Sequence, residues 1–217
     1  MDFVRRLDPL LLIPALALMA FGIVMVYSAS FAVAEQRMAD PYHFLKKQAI
    51  AAAIGVVLLL VAARVHYRLW QFLAIPLLLL TVALLGALIL PGMRHEIGGS
   101  SRWLKLGSFS FQPAELAKLA LVIYLAYSLA KKAEKVRSFT VGFVPHMIVC
   151  GLMMALLLKQ PDLGTAVILG MATLILLFVA GAKISYIFIA FLAAAPVMYQ
   201  AIVGTPWRLR RMLAFLD

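Results

Sequence analysis

Seven stretches of apolar sequence follow one another along this chain, at about 9–31, 48–63, 69–90, 113–130, 140–158, 163–180 and 184–204. A helix rises 1.5 Å per residue, so roughly 20 apolar residues cross the hydrocarbon core of a bilayer. No water is available there to bond the backbone, and a helix satisfies its amides within the segment. The pattern predicts an all-α fold: a polytopic membrane helix bundle with about seven transmembrane helices. The second, fifth and sixth stretches are nearest the lower limit of length. Only a few residues separate the fifth from the sixth and the sixth from the seventh, so these neighbours form antiparallel hairpins.

Composition agrees. Hydrophobic residues make up 65% of the 217 and charged ones only 13%, more apolar side chain than a soluble core can hide. Lys and Arg outnumber Asp and Glu 20 to 9, for a formal charge of +11. Most of the excess lies in short connections, where it can meet lipid phosphates or an anionic substrate. Nucleic-acid binding is excluded, because no soluble basic domain is present to carry it. Cys150 is the only cysteine, so no internal disulfide forms. His43, His66, His95 and His146 lack metal-ligand spacing, and no metal site is predicted from them.

Arg5 and Arg6 precede the first apolar stretch, and Ala32-Val33-Ala34 resembles a signal-peptidase site. The run from about Pro9 to Ala29 is longer than a signal core and reads as a retained first span. Charge counting for orientation is divided. With the N-terminus in the cytoplasm, nine cations lie inside (Arg5, Arg6, Arg64, Arg68, Lys131, Lys132, Lys135, Arg137, Lys183) and eleven outside. The inner loops are shorter and hence denser in charge, and the first helix usually dominates, so the N-terminus is assigned inside. Tyr42, Trp103 and Trp207 then fall at outer boundaries, and Tyr67 and Trp70 at an inner one, as aromatic belts require. No internal repeat or linker divides residues 1–217, which read as one membrane domain. From Pro206 the chain becomes basic and amphipathic, with Trp207, Leu209, Met212, Leu213, Phe215 and Leu216 on an apolar face and Arg208, Arg210 and Arg211 near headgroups. Ending there, it reads as the N-terminal part of a longer protein.

Polar residues concentrate where the fourth and sixth spans begin. Gln112-Pro113-Ala114-Glu115 opens one and Gln160-Pro161-Asp162 the other, with proline suited to a first helical position and acids suited to the positive end of the helix dipole. Asp162 is equally a dipole partner or a ligand. Glu115 and Lys118, three apart, share a helix face. They form either an interfacial ion pair or, the favoured reading, a buried pair lining a polar cavity, with the ammonium offered to a phosphate. Arg102 lies in the Gly/Ser-rich segment Gly98-Gly-Ser-Ser-Arg102. It is a solvated loop cation or a bidentate grip on phosphate oxygens, with backbone amides of the loop adding anion contacts. Lys46 and Lys47 read as headgroup contacts, and Lys131, Lys132, Lys135 and Arg137 as a positive-inside determinant.

Gly99-Ser-Ser-Arg-Trp-Leu-Lys-Leu-Gly107, Phe111-Gln-Pro-Ala-Glu-Leu-Ala-Lys118, Gln160-Pro-Asp-Leu-Gly-Thr165 and Arg208-Leu-Arg-Arg-Met-Leu-Ala-Phe-Leu-Asp217 occur in that order. With Tyr27-Ser-Ala-Ser30, they resemble the SEDS family (shape, elongation, division, sporulation). Gly99-Ser-Ser-Arg102, Gly181-Ala-Lys183 and Trp207-Arg-Leu-Arg-Arg211 are more similar to its division branch than to its elongation branch.

The resemblance implies a ten-helix peptidoglycan glycosyltransferase of the bacterial cytoplasmic membrane, acting at the division septum and polymerising lipid II into glycan strands. The partners it implies are a class B penicillin-binding protein transpeptidase and other divisome membrane proteins. Arg102, Gln112, Glu115, Lys118 and Asp162 would line the cavity receiving the pyrophosphate and sugars, with Mg2+ at the pyrophosphate a cofactor the chemistry admits. The family's principal catalytic aspartate is expected beyond residue 217, in the large extracytoplasmic loop that Asp217 enters, so no catalytic residue is assigned here. A lipid II flippase and a divisome scaffold without catalysis are the alternative readings.

Overall fold

A computed structural model describes residues 8–38, 40–90, 95–97, 100–106 and 109–213. It is a polytopic helical membrane protein whose helices fall into two compact units, Met1–Leu69 and Trp70–Asp217.

The first unit pairs α1 (Pro9–Met38) with α2 (His43–Arg64). Neither helix stops where the apolar pattern does. Helix α1 continues through Ala32-Val33-Ala34, because nothing in Ala-Val-Ala-Glu-Gln-Arg breaks a helix. Helix α2 starts five residues before the apolar run and takes in Lys46 and Lys47, which lengthens this span to 22 residues. Asp40 organises the corner between them. Its carboxylate accepts from the Tyr42 backbone N–H at 3.0 Å and pairs with Lys46 at 2.8 Å. The Tyr42 ring then stacks on Tyr27 of α1, centroid to centroid 5.8 Å.

The second unit holds α3 (Tyr67–Ala87), whose first residues belong to the first unit, then α4 (Pro113–Lys131), α5 (Val144–Lys159), α6 (Leu163–Val179), α7 (Ile184–Val203) and α8 (Pro206–Leu213). Among the described residues six helices, counting the π-helical turn Phe139–Phe143 with α5, are long and apolar enough to cross a membrane. The remaining one of the seven expected apolar helices is α6. Its 17 residues make a shorter apolar helix, because Asp162 caps it at one end and Gly181, at φ +93°, turns the chain at the other.

The segment between α3 and α4 is not helical among its described residues. It forms a small antiparallel sheet, β1 (His95–Ile97), β2 (Ser100–Leu106) and β3 (Phe109–Phe111), in the order β1-β2-β3. The alternation of apolar and polar residues in Trp-Leu-Lys-Leu and Phe-Ser-Phe suits a pleated strand. The helical fold holds, with this short sheet set into one of its connections.

The core of the second unit lies among α3, α4, α5 and α6. Ala114, Ala117, Leu121, Leu125 and Leu129 of α4 meet Cys150, Met153 and Leu157 of α5, and Ala166, Leu169 and Leu177 of α6. Small residues at three- and four-residue spacing let helix backbones approach closely, the main source of helix association in lipid. Buried Thr81 and Thr173 return their hydroxyls to the carbonyls of Leu77 and Leu169, at 2.7 and 2.8 Å, leaving no donor unpaired.

One buried polar contact fixes the direction of the bundle. Fully buried His146, near the start of α5, bonds Ser128, near the end of α4, through Nε2 at 2.9 Å. Its Nδ1 lies 2.6 Å from the Gly142 carbonyl, which only accepts, so Nδ1 carries the proton and the Ser128 hydroxyl donates to Nε2. Helix α5 therefore starts beside the end of α4 and runs back. Helix α6 packs against both and runs parallel to α4. The N-termini of α4 and α6 consequently lie at one end of the unit.

Candidate functional site

That shared end collects most of the polar side chains singled out in the sequence. Gln112 is the N-cap residue of α4, with extended backbone (φ −103°, ψ 110°) and no side-chain bond to the helix. Its half-buried amide is thus not consumed by capping. Pro113 occupies the first helical position, buried, where the missing N–H has no cost.

Glu115 and Lys118 stand on the next turn. Lys118 Nζ lies 2.8 and 2.9 Å from the two Glu115 carboxylate oxygens, the i,i+3 pair that the spacing predicts. Within this chain the pair is not buried. The side chains are 59% (Glu115) and 33% (Lys118) exposed. The physical reason is that Ala114 and Ala117 take the face of α4 turned to the core, and Glu115 and Lys118 fall beside that stripe. An exposed ion pair of this kind contributes only about 0.2–1 kcal/mol. Fold stability gives little reason for these charges, and both stay accessible to a ligand.

Asp162 is different in kind. It is buried, and its carboxylate accepts from the Thr165 backbone N–H at 3.2 Å and from the Thr165 hydroxyl at 2.9 Å. It is the N-cap of α6, and Pro161 lies before the helix. The sequence expectation that the two helix starts share one design is thereby corrected: α4 has proline in its first turn and a side chain left over, whereas α6 is capped by its acid.

Gln160, absent from the sequence-derived set, is the residue that ties this end together. Buried at the C-cap of α5, it donates from Nε2 to the Leu85 carbonyl of α3 at 2.8 Å. It thus occupies an acceptor among the last carbonyls of α3 that the helix leaves open. The signal for it was the Gln-Pro-Asp run itself, in which a glutamine inside apolar sequence needs a partner. Arg102 lies in β2, and its side chain is outside the described residues. Strand pairing places its backbone close to α4, because Leu104, two residues on, is opposite Phe111, which immediately precedes Gln112.

Electrostatically, two parallel helix N-termini at one end add their positive dipole ends, which favours an anion. Asp162 offsets that charge at α6. At α4, Glu115 is already engaged with Lys118.

A model of the cell cycle protein family that comprises FtsW, RodA and SpoVE matches residues 8–217. The chain belongs to this family. Among curated family members, the probable peptidoglycan glycosyltransferases FtsW of Geobacter sulfurreducens and Geobacter metallireducens are each 42% identical to it over 214 residues, 99% of the chain and 57% of the relative. FtsW of Idiomarina loihiensis is 37% identical over 97% of the chain and 51% of that protein. The chain thus spans somewhat more than half the length of the curated FtsW relatives it matches.

Solved FtsW/RodA-type structures resemble it as well. The rod shape determining protein RodA of Thermus thermophilus aligns with a TM-score of 0.58 at 26% identity, over 82% of this chain and 58% of that one. A chain from a peptidoglycan synthase complex whose structure addresses the coordination of polymerization and crosslinking aligns at 0.66 and 27%, over 92% and 58%.

Proposed function

We propose that this chain supplies the substrate-binding helices of a peptidoglycan glycosyltransferase that polymerises lipid II during cell division. The observation that carries the reading is the accessible Glu115–Lys118 pair beside the N-terminus of α4, at the same end as the N-terminus of α6, in a chain 42% identical to probable glycosyltransferases. In the reaction an acceptor sugar 4-hydroxyl attacks the anomeric carbon of the donor. The bond to the pyrophosphate oxygen breaks, and undecaprenyl pyrophosphate leaves with two phosphates' worth of charge.

That charge needs fixed cations and oriented donors. Lys118 meets a phosphate as a point charge, and Glu115 holds the ammonium in place until the substrate arrives. Arg102, on the strand paired with the one that leads into α4, grips two phosphate oxygens. The Gln112 amide bonds a sugar hydroxyl or a phosphate. Asp162 acts by holding the first turn of α6. None of these residues is assigned as the base that takes the acceptor proton.

Among the described residues, no group of three or more His, Cys, Asp and Glu is arranged to hold a metal ion. Mg2+ at this site would be held chiefly by the substrate's phosphates with one carboxylate, a coordination that ion commonly adopts. The protein would lie in the bacterial cytoplasmic membrane with its N-terminus inside, so that this end of the bundle faces outward, at the septum. Its partner would be a class B penicillin-binding protein that crosslinks the strands.

The test is polymerisation of lipid II by the purified full-length protein, run beside lipid II translocation in sealed vesicles. Glycan chains long enough to resolve by gel are the expected result. Translocation without polymer would replace the reading with a flippase, and neither activity, with partner binding intact, would replace it with a scaffold.

A further inference from the structure

At the opposite end of the second unit, the α4–α5 and α6–α7 connections come together. The joint is aromatic. Phe139 and Phe143 stack at 5.8 Å, and Tyr186, in the first turn of α7, meets both rings at 5.2 and 5.6 Å. Lys183 lies over the Tyr186 ring at 5.6 Å, which holds the α6–α7 cation against the aromatic joint that Phe139 and Phe143 of the other loop share. Within 131–138 and 181–184 there are five cations, Lys131, Lys132, Lys135, Arg137 and Lys183, against one carboxylate, Glu134. Among the described residues, none of the five has a carboxylate within ion-pair distance.

The α4–α5 connection is built rather than slack. A 3-10 turn, Ala133–Lys135, leads to buried Val136, and a π-helical turn, Phe139–Phe143, then enters α5. Gly142 sits so close to the Val136 carbonyl that a Cβ there would collide with it. The backbone that presents Lys135 and Arg137 is thereby fixed against the first turn of the next helix. A topology signal needs only charge, not a preorganised frame.

The surroundings of the cations identify the partner. Phe139 is 48% exposed and Ile184 70% exposed, both within a few residues of the charges, and exposed Val141 and Phe188 continue the apolar surface along the helices. A surface with cations at the rim and apolar side chains just inside it matches a lipid, whose phosphate lies above its acyl chains. An acidic soluble peptide would leave that apolar flank without a use.

We infer that the α4–α5 and α6–α7 loops form a binding site for the headgroup of an anionic phospholipid. Lys132, Lys135, Arg137 and Lys183 hold the phosphates, and Phe139 and Ile184 pack on the upper acyl chain. This site is distinct from the proposed lipid II site and independent of it, since it lies at the other end of the bundle and requires only that the bundle span a membrane.

The experiment is spin-label lipid selectivity with the full-length protein reconstituted in phosphatidylcholine, comparing labelled phosphatidylglycerol and cardiolipin with labelled phosphatidylcholine. A cation near the surface changes lipid association by about fivefold. A variant carrying Lys132→Gln, Lys135→Gln, Arg137→Gln and Lys183→Gln is therefore expected to lower the preference for anionic lipid at least tenfold. Phe139→Ala, which changes no charge, is expected to lower it severalfold, whereas Lys159→Gln at the other end removes one surface cation and lowers it by no more than about fivefold. Thermal unfolding checks that each variant is folded. No preference in the parent protein, an undiminished preference in the quadruple variant, or an equal loss with Lys159→Gln would overturn the site. Preference for a soluble acidic peptide over anionic lipid would overturn it too.

Discussion

Helices α2 and α4 are both long and apolar enough to cross a bilayer, yet they relate to their own units in opposite ways. No residue of α2 is buried, whereas α4, the least apolar of the six spans, hides eight. Hydropathy therefore separates membrane from water but does not tell how deeply a span is packed within its own unit. Small residues recur at three-residue spacing in both, Ala49, Ala52 and Gly55 in α2 and Ala114, Ala117 and Ala120 in α4. What distinguishes them is what meets those residues: Ala114 and Ala117 belong to the core shared with α5 and α6, whereas Gly55 has open space around it.

The largest effects expected from this contrast come from filling space. Gly142→Ala drives a methyl group into the backbone at Val136, and Ala117→Leu forces the α4 stripe off its neighbours. Each should cost about 1–3 kcal/mol or more in unfolding measured in detergent or lipid, with Gly142→Ala the more severe. Gly55→Leu in α2 has open space around it and should be close to neutral. Equal losses at Ala117 and Gly55 would break the distinction.

Next comes the contrast between the two helix starts. Asp162→Ala removes the α6 cap and should cost about 0.5–2 kcal/mol, while Asp162→Asn keeps an acceptor for Thr165 and should cost much less. Glu115→Gln touches no cap and should change stability by a few tenths of a kcal/mol at most, about the worth of an exposed pair. A loss for Asp162→Asn as large as for alanine would mean that the charge, not the cap, is what the site uses.

The smallest effect concerns the α1–α2 corner. The hydrogen bond from Lys46, helped by the Tyr42 backbone N–H, holds the Asp40 carboxyl below the ordinary aspartate range. A lowered carboxyl stabilises the fold above its unfolded pKa, and that contribution disappears as pH falls through the folded value. It should therefore be present at neutral pH and vanish only in acid, below about 4. A carboxyl-carbon NMR titration should show Asp40 returning to the ordinary range in Lys46→Gln.

The number and order of spans were legible because hydropathy at a helical period is a direct record of solvent. Their ends were less so. Helix α2 begins among Lys46 and Lys47, since a charged residue near a helix end reaches water by its own length. The sheet was missed because a Gly/Ser-rich connection hides short alternating strands such as Phe109-Ser110-Phe111. At the site, Gln112, Glu115, Lys118 and Asp162 could be named from sequence, but not their division into accessible and structural groups. Asp162 and Glu115 look alike as acids after a proline. Only the fold reveals that one is spent on Thr165 and the other faces outward. Gln160 was hidden because its partner, the Leu85 carbonyl, is 75 residues away.

The most direct measurement is the affinity of purified, full-length protein for lipid II, compared with Lys118→Ala and Arg102→Ala variants shown by thermal unfolding to be folded. The account predicts markedly weaker binding in both, because each removes a cation from the pyrophosphate. Unchanged affinity in the folded Lys118→Ala variant would contradict it.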